Sequence, residues 1–190
     1  MDHILVYSDS LSWGIIPSTR RRQPFEGRWP GVMELALTRP GRPVRVIEDC
    51  LNGRRTVWED PFKPGRNGLV GLAQRIEIHS PLALVILMLG TNDFQSMHPL
   101  TAQHAAQGIA TLVGAIRQAP IEPGMPVPPI LIVAPEDDWR LVAPGVSDTF
   151  IVLLRSDPTD LDGSGRMLLL RRRPAPSIHA GLTPARLVSS

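Results

Sequence analysis

Apolar and polar positions alternate along the first 135 residues in blocks of strand length and helix length. His3-Ile4-Leu5-Val6 is a short apolar run that predicts a buried first strand. Residues 28–37 place positions 29, 32, 33, 36 and 37 at helical spacing, with Pro30 suited to a first turn and Pro40-Gly41 as a stop. Residues 44–47 predict a second strand, and residues 48–67 a polar loop. A second helix is expected over residues 68–78, with Leu69, Leu72, Ala73 and Ile76 on one face, closed by Ser80-Pro81. Residues 82–89 are uninterruptedly apolar, the mark of a strand covered on both faces of a parallel sheet. That run stops at Gly90-Thr91-Asn92-Asp93. Residues 101–119 give the clearest amphipathic helix, through Ala105, Ile109, Leu112, Val113 and Ile116. A proline-rich connection over 120–129 leads to a fourth strand at 130–134.

Strands alternating with helices predict a doubly wound, three-layer α/β domain with a parallel sheet. Beyond Pro135 the pattern degrades. Residues 150–154 are compatible with a strand, 157–165 are acidic and turn-rich, and the apolar run 167–170 is followed by three arginines and two prolines. The expected organisation is therefore a core over 1–135 and a divergent segment over 136–190.

The chain has 190 residues, 43% of them hydrophobic, enough for one domain with a full core. No apolar run is long enough to cross a bilayer. The start of the sequence enters a strand without a basic, cleavable leader, and Cys50 is the single cysteine; both lead us to expect a cytoplasmic protein. The formal charge is only +2, yet the isoelectric point is about 9.3. Lys63 is the only lysine, so the basic side chains are almost all arginines, which hold their charge to very high pH. The arginine runs 20–22 and 171–173 carry no interleaved aromatics, so no nucleic-acid partner is expected.

Three of the predicted strands end in a chemically suggestive loop: Ser10 after the first, Asn52-Gly53 after the second, and Asn92 after the third. In a parallel sheet those loops share one edge. A hydroxyl to attack a carbonyl, together with amide donors for the developing oxyanion, is what acyl transfer requires. Each residue also has a plainer role: Asp9, Ser10 or Ser12 as a helix cap, Asn52-Gly53 as a turn, and 90–93 as a strand-to-helix turn. Neither a dinucleotide-binding glycine motif nor a P-loop follows the first strand, which weakens a nucleotide-binding reading. No metal cluster is visible and no cofactor is needed.

With these motifs in place, the chain resembles the GDSL, or SGNH, hydrolase family. Ser8-Asp9-Ser10-Leu11 stands where the family has Gly-Asp-Ser-Leu. The likeness is to the bacterial arylesterase and acyltransferase branch, through Arg-Trp-Pro-Gly-Val at 28–32, a Gly-Leu-Asn-Gly-Arg-Thr-Thr-like loop at 50–56, and Pro-Gly-Arg-Asn-Gly at 64–68. Leu-Gly-Thr-Asn-Asp at 89–93 and Val-Ala-Pro at 133–135 complete it. The resemblance implies a flavodoxin-like SGNH fold. It makes Ser10 the nucleophile, and its oxyanion hole comprises the Ser10 N–H, the Gly53 N–H and the Asn92 side chain. Small acyl or aryl esters would be hydrolysed through an acyl-serine intermediate, with transfer to an alcohol as a near variant. Trp13 and Phe94 are candidates to wall the acyl pocket. Relatives often form homo-oligomers, which the 120–129 connection would serve.

Three departures matter. Ser8 and Cys50 replace glycines of the family motifs, for which altered turn geometry is expected. The family's closing Asp-x-x-His is absent: the residues three before His79, His98, His104 and His179 are Ile, Gln, Thr and Pro. A one-base frame shift near Pro135 would account for this, since codons for residues 167–173 can be chosen so that a shift yields a strand like the family's. Without that base the chain has an alternative reading, a pseudoenzyme that only binds ligand or partner. His98 and His179 are the candidates for a substitute base.

Overall fold

The computed structural model describes residues 1–95, 100–135, 150–155 and 166–170. Six strands form one sheet: β1 (Asp2–Ser8), β2 (Val44–Cys50), β3 (Leu84–Met88), β4 (Ile130–Pro135), β5 (Phe150–Arg155) and β6 (Arg166–Leu170). Their order is β2-β1-β3-β4-β5-β6. Neighbours pair in parallel from β2 through β5, and β6 adds to β5 antiparallel. The helices are α1 (Ser10–Trp13), α2 (Trp29–Leu37), α3 (Leu72–His79) and α4 (Ala102–Arg117).

The three layers follow from the two-residue period of the strands. In β1, Ile4 and Val6 point to one face, where Val46, Ile86 and Val133 pack with Trp29 and Met33 of α2. Leu5 and Tyr7 point to the other, joining Val85, Leu87 and Ile132 beneath Leu72 and Ile76 of α3 and Leu112 and Ile116 of α4. A strand buried on both faces has no polar alternation. This is why β3 is an unbroken apolar run in the sequence.

Two expectations are corrected. First, β1 and β2 run on through polar residues to Ser8 and Cys50, which pair with each other, and Ser8 also pairs with Met88. Hydrophobicity missed this extension because Glu48 and Asp49 at the end of β2 are neutralised by arginines rather than exposed. Second, the helix expected over 68–78 starts only at Leu72, capped by Gly71 in the left-handed region at φ 74°. Gly68 is used instead for close approach, since a Cβ there would lie 2.6 Å from the Arg55 carbonyl oxygen. Leu69 is accordingly outside the helix and 37% exposed. The sheet also continues past β4. The apolar runs at 150–154 and 167–170 are strand-length and extend its far edge as β5 and β6, the last one antiparallel.

The strand order fixes where a ligand can sit. The chain goes from β1 outward to β2 and then returns to β3 on the other side of β1. The crevice beyond the carboxyl ends of these strands is the switch point at which doubly wound folds bind ligands.

Candidate active site

Ser10 opens α1 directly after β1. Asp9 is the N-cap, in extended conformation, and its Oδ1 accepts the Leu11 N–H at 2.9 Å. The helix closes after four residues at Gly14, in the left-handed region at φ 79°. A first-turn N–H has no intrahelical acceptor, and among the described residues that of Ser10 meets no other. Ser10 is half-buried, whereas Ser8, Asp9 and Ser12 around it are buried. The cap, Asp9, and the candidate nucleophile, Ser10, are thus neighbouring residues.

Ser8, which stands where a glycine was expected, is an ordinary strand residue with no backbone demand for glycine. Its hydroxyl donates to the Met88 carbonyl at 2.8 Å and accepts from Ser12 Oγ at 2.6 Å, which in turn accepts from Trp29 Nε1 at 3.1 Å. The added hydroxyl is absorbed into this chain of bonds, and the altered turn expected at this position does not occur. Cys50 likewise ends β2 in regular register; burial, with Glu48 nearby, pushes its thiol up to about 12.

After β2 the chain turns through Asn52 and Gly53. Gly53 adopts φ +80°, which side-chain-bearing residues rarely take, so the glycine is needed here. Among the described residues its N–H donates to no protein acceptor. Arg54, next in sequence, is 3% exposed. Its guanidinium lies 3.9 Å over the Tyr7 ring and donates to Asp49 Oδ1 at 2.6 Å and to the Ser8 carbonyl at 3.1 Å. One buried cation therefore ties the end of β1 to the loop that follows β2.

After β3, Gly90 leads into a single 3₁₀ turn, Thr91–Phe94. The Asn92 Nδ2 donates to Asp9 Oδ2 at 2.9 Å and to the Arg54 carbonyl at 3.0 Å. Both partners are acceptors, so only this orientation of the amide is compatible with them. Asn92 Oδ1 accepts from Gln95 Nε2 at 3.1 Å. The side chain from the third loop thus contacts the neighbour of Ser10 in the first and the neighbour of Gly53 in the second. Beside it, Asp93 is fully buried; it accepts from Thr56 Oγ1 at 2.7 Å and Thr56 N at 3.2 Å, with Arg55 Nε at 3.5 Å as an ion contact.

Burial pushes the Asp9 carboxyl up to about 6, against the pull of the Leu11 N–H, the Arg54 charge and the Asn92 amide. Burial raises Asp93 too, opposed by Thr56 and then Arg55. Trp13, a candidate pocket wall, lies beneath Arg22, whose guanidinium is 5.1 Å from its ring; Phe94 is 38% exposed.

Of the histidines, His3 is in β1, His79 ends α3, and His104 accepts the Thr101 N–H at the start of α4, with Trp58 edge-on at 6.0 Å. None of these three is hydrogen-bonded to Ser10. His98 and His179 lie outside the described residues, as does most of 136–190. Sequence reasoning missed Arg54 and Asp9 as site-forming residues. The signal available was that charged residues, Asp9 and Arg54, directly adjoin Ser10 and Gly53 in the turn motifs.

A hydroxyl at a strand end, two loop N–H groups without a partner among the described residues and a tethering amide from a third loop thus lie at the switch point of a three-layer α/β sheet. No protein-family model matches the chain. A curated arylesterase of Vibrio mimicus is 35% identical over 92 residues, which are 48% of this chain and 38% of that protein. The inhibitor-bound structure of an aryl esterase from M. smegmatis superposes with a TM-score of 0.66 at 33% identity, over 71% of this chain and 64% of that one. A carbohydrate acetylesterase family member from Sinorhizobium meliloti gives 0.65 at 37% identity, over 71% and 63%. Over the matched part the chain is similar to arylesterases and a carbohydrate acetylesterase. It spans less than two thirds of the length of these relatives, and well under half of the curated one.

Proposed function

We propose that this chain is a serine esterase that cleaves small acyl or aryl esters through an acyl-Ser10 intermediate. The observation that supports the reading is the pair of bonds from Asn92 to Asp9 and to the Arg54 carbonyl, because one side chain thereby joins the residue before Ser10 to the residue after Gly53. In the first step Ser10 Oγ bonds to the ester carbonyl carbon and passes its proton to solvent water, and the carbonyl π pair becomes an oxyanion. The N–H groups of Ser10 and Gly53 are free to receive that charge. The Asn92 hydrogen now on the Arg54 carbonyl is the third donor, since a full negative charge outcompetes a neutral carbonyl. Collapse of the adduct re-forms the carbonyl and expels the alkoxide or phenolate, which takes up a proton from solvent water. Water then attacks the acyl-serine to release the acid, or an alcohol attacks to give a new ester. The two outcomes differ only in the acceptor.

Among the described residues no histidine activates Ser10, so aryl esters, whose leaving groups need little protonation, are the substrates of choice for a test. Triads that lack a member retain roughly 10³–10⁴-fold acceleration through the oxyanion hole and binding. Turnover of p-nitrophenyl acetate by the wild type and by Ser10→Ala decides the matter. A Ser10-dependent rate and an acyl adduct of the expected mass on Ser10 are the expected results. Equal rates in the two proteins would discard the reading and leave a binding-only protein.

A further inference from the structure

The peptide group between Asn52 and Gly53 has two working ends. Its N–H, on Gly53, is a donor assigned above to the oxyanion. Its carbonyl oxygen, on Asn52, accepts from Arg66 Nε at 2.9 Å and from Lys63 Nζ at 3.3 Å. Both cations lie close beside the glycine: a Cβ on Gly53 would be 3.4 Å from Lys63 Nζ and 3.8 Å from Arg66 Nε. Neither forms an ion pair among the described residues. Arg66 is held firmly. Its N–H donates to Glu59 Oε1 at 2.9 Å, its carbonyl accepts the Arg55 N–H at 2.8 Å, and its Nη1 donates to the Pro64 carbonyl at 3.0 Å.

We propose that Arg66 and Lys63 are positioning residues for the oxyanion hole, acting through the Asn52–Gly53 peptide. This rests on the acyl-Ser10 reading. Two charged donors on the carbonyl fix the plane of the peptide, and so the direction of its N–H. They also draw electron density towards the oxygen, which makes the N–H at the other end a stronger donor, as hydrogen bonds in series polarise one another. Bonds from charged donors are roughly twice as strong as neutral ones. The half-buried, anchored Arg66 carries more of the effect than the exposed Lys63.

The benefit appears only when negative charge develops, so it belongs to kcat and not to KM. Deleting an oxyanion donor outright costs about 10²–10³-fold in kcat; weakening one is expected to cost about tenfold for Arg66→Gln and less for Lys63→Met. KM for p-nitrophenyl acetate and the urea unfolding midpoint should stay near wild type, and Arg66→Lys should recover part of the rate. In ¹H–¹⁵N spectra the Gly53 amide proton should move upfield in Arg66→Gln, while the Ser10 amide stays in place. An unchanged kcat in Arg66→Gln alongside Ser10-dependent turnover overturns the clamp and leaves the esterase reading standing. An unmoved Gly53 resonance also overturns it. If turnover does not depend on Ser10, the esterase reading and the catalytic role of the clamp fail together.

Discussion

Replacing Asp9 with asparagine tests the electrostatics of the site most directly. Asp9 is 1% exposed, and its carboxyl titrates at about 6 against an ordinary 3.8. Between those two values the folded protein holds a proton that the unfolded chain has released. Stability therefore falls as pH rises through this window and levels off above it. At about 1.4 kcal/mol per pH unit the interval amounts to about 3 kcal/mol. The substituted side chain would still cap α1, because asparagine is as good an N-cap as aspartate. It would lose the second acceptor for Asn92, a cost of about 1 kcal/mol that does not vary with pH. Asp93 titrates in both proteins and cancels from the comparison. Urea unfolding of wild type and Asp9→Asn between pH 4 and 7.5 gives the result: the wild type should lose about 2 kcal/mol relative to the variant as pH rises, the remainder lying below pH 4. A difference between the two that stays constant across this range would refute the argument that burial sets the Asp9 titration.

Arg54→Met should keep a side chain against Tyr7 but leave one oxygen of Asp49 without its cation, while the Ser8 carbonyl keeps only the Leu51 N–H. Breaking a buried pair costs about 3–5 kcal/mol, and Arg75, which also bonds Asp49, should hold the loss near the lower end in a urea titration. Gly108→Ala places a Cβ 2.1 Å from Thr56 Oγ1, so α4 or the second loop must shift. We expect about 1–3 kcal/mol of destabilisation from this overpacking, read by urea unfolding, and a lower p-nitrophenyl acetate rate because Thr56 holds Asp93.

The layers were readable because burial writes itself into period. The predicted face of α4, from Ala105 to Ile116, is buried as expected. What the pattern could not show is order maintained by charge. Glu48 and Asp49 look like loop residues yet complete β2, because Arg28 and Arg54 meet them from opposite sides of the strand. The helix start at Leu72 was hidden for a different reason: Leu69 fits the helical period, but the backbone there serves the approach of Gly68 to the second loop. Ser10, Gly53 and Asn92 could be named from their loops and their resemblance to a family. The means by which Asn92 joins them, through partners one residue away from each, has no signature in spacing.

That indirect connection explains why both residues of the Asn92-Asp93 pair are needed as they are. Three successive residues of the second loop are fastened to two successive residues of the third. The Arg54 carbonyl takes a hydrogen from Asn92, Arg55 faces the Asp93 carboxylate, and Thr56 gives that carboxylate its N–H and its hydroxyl. Asn92 must donate twice, to a carbonyl and to a carboxylate, which aspartate cannot do. Asp93 must accept from Thr56 twice while facing a guanidinium, which an asparagine satisfies only in part. Exchanging the two residues would leave like groups opposed at both positions, with two carboxylates meeting at Asp9. The two loops are thereby held in one register.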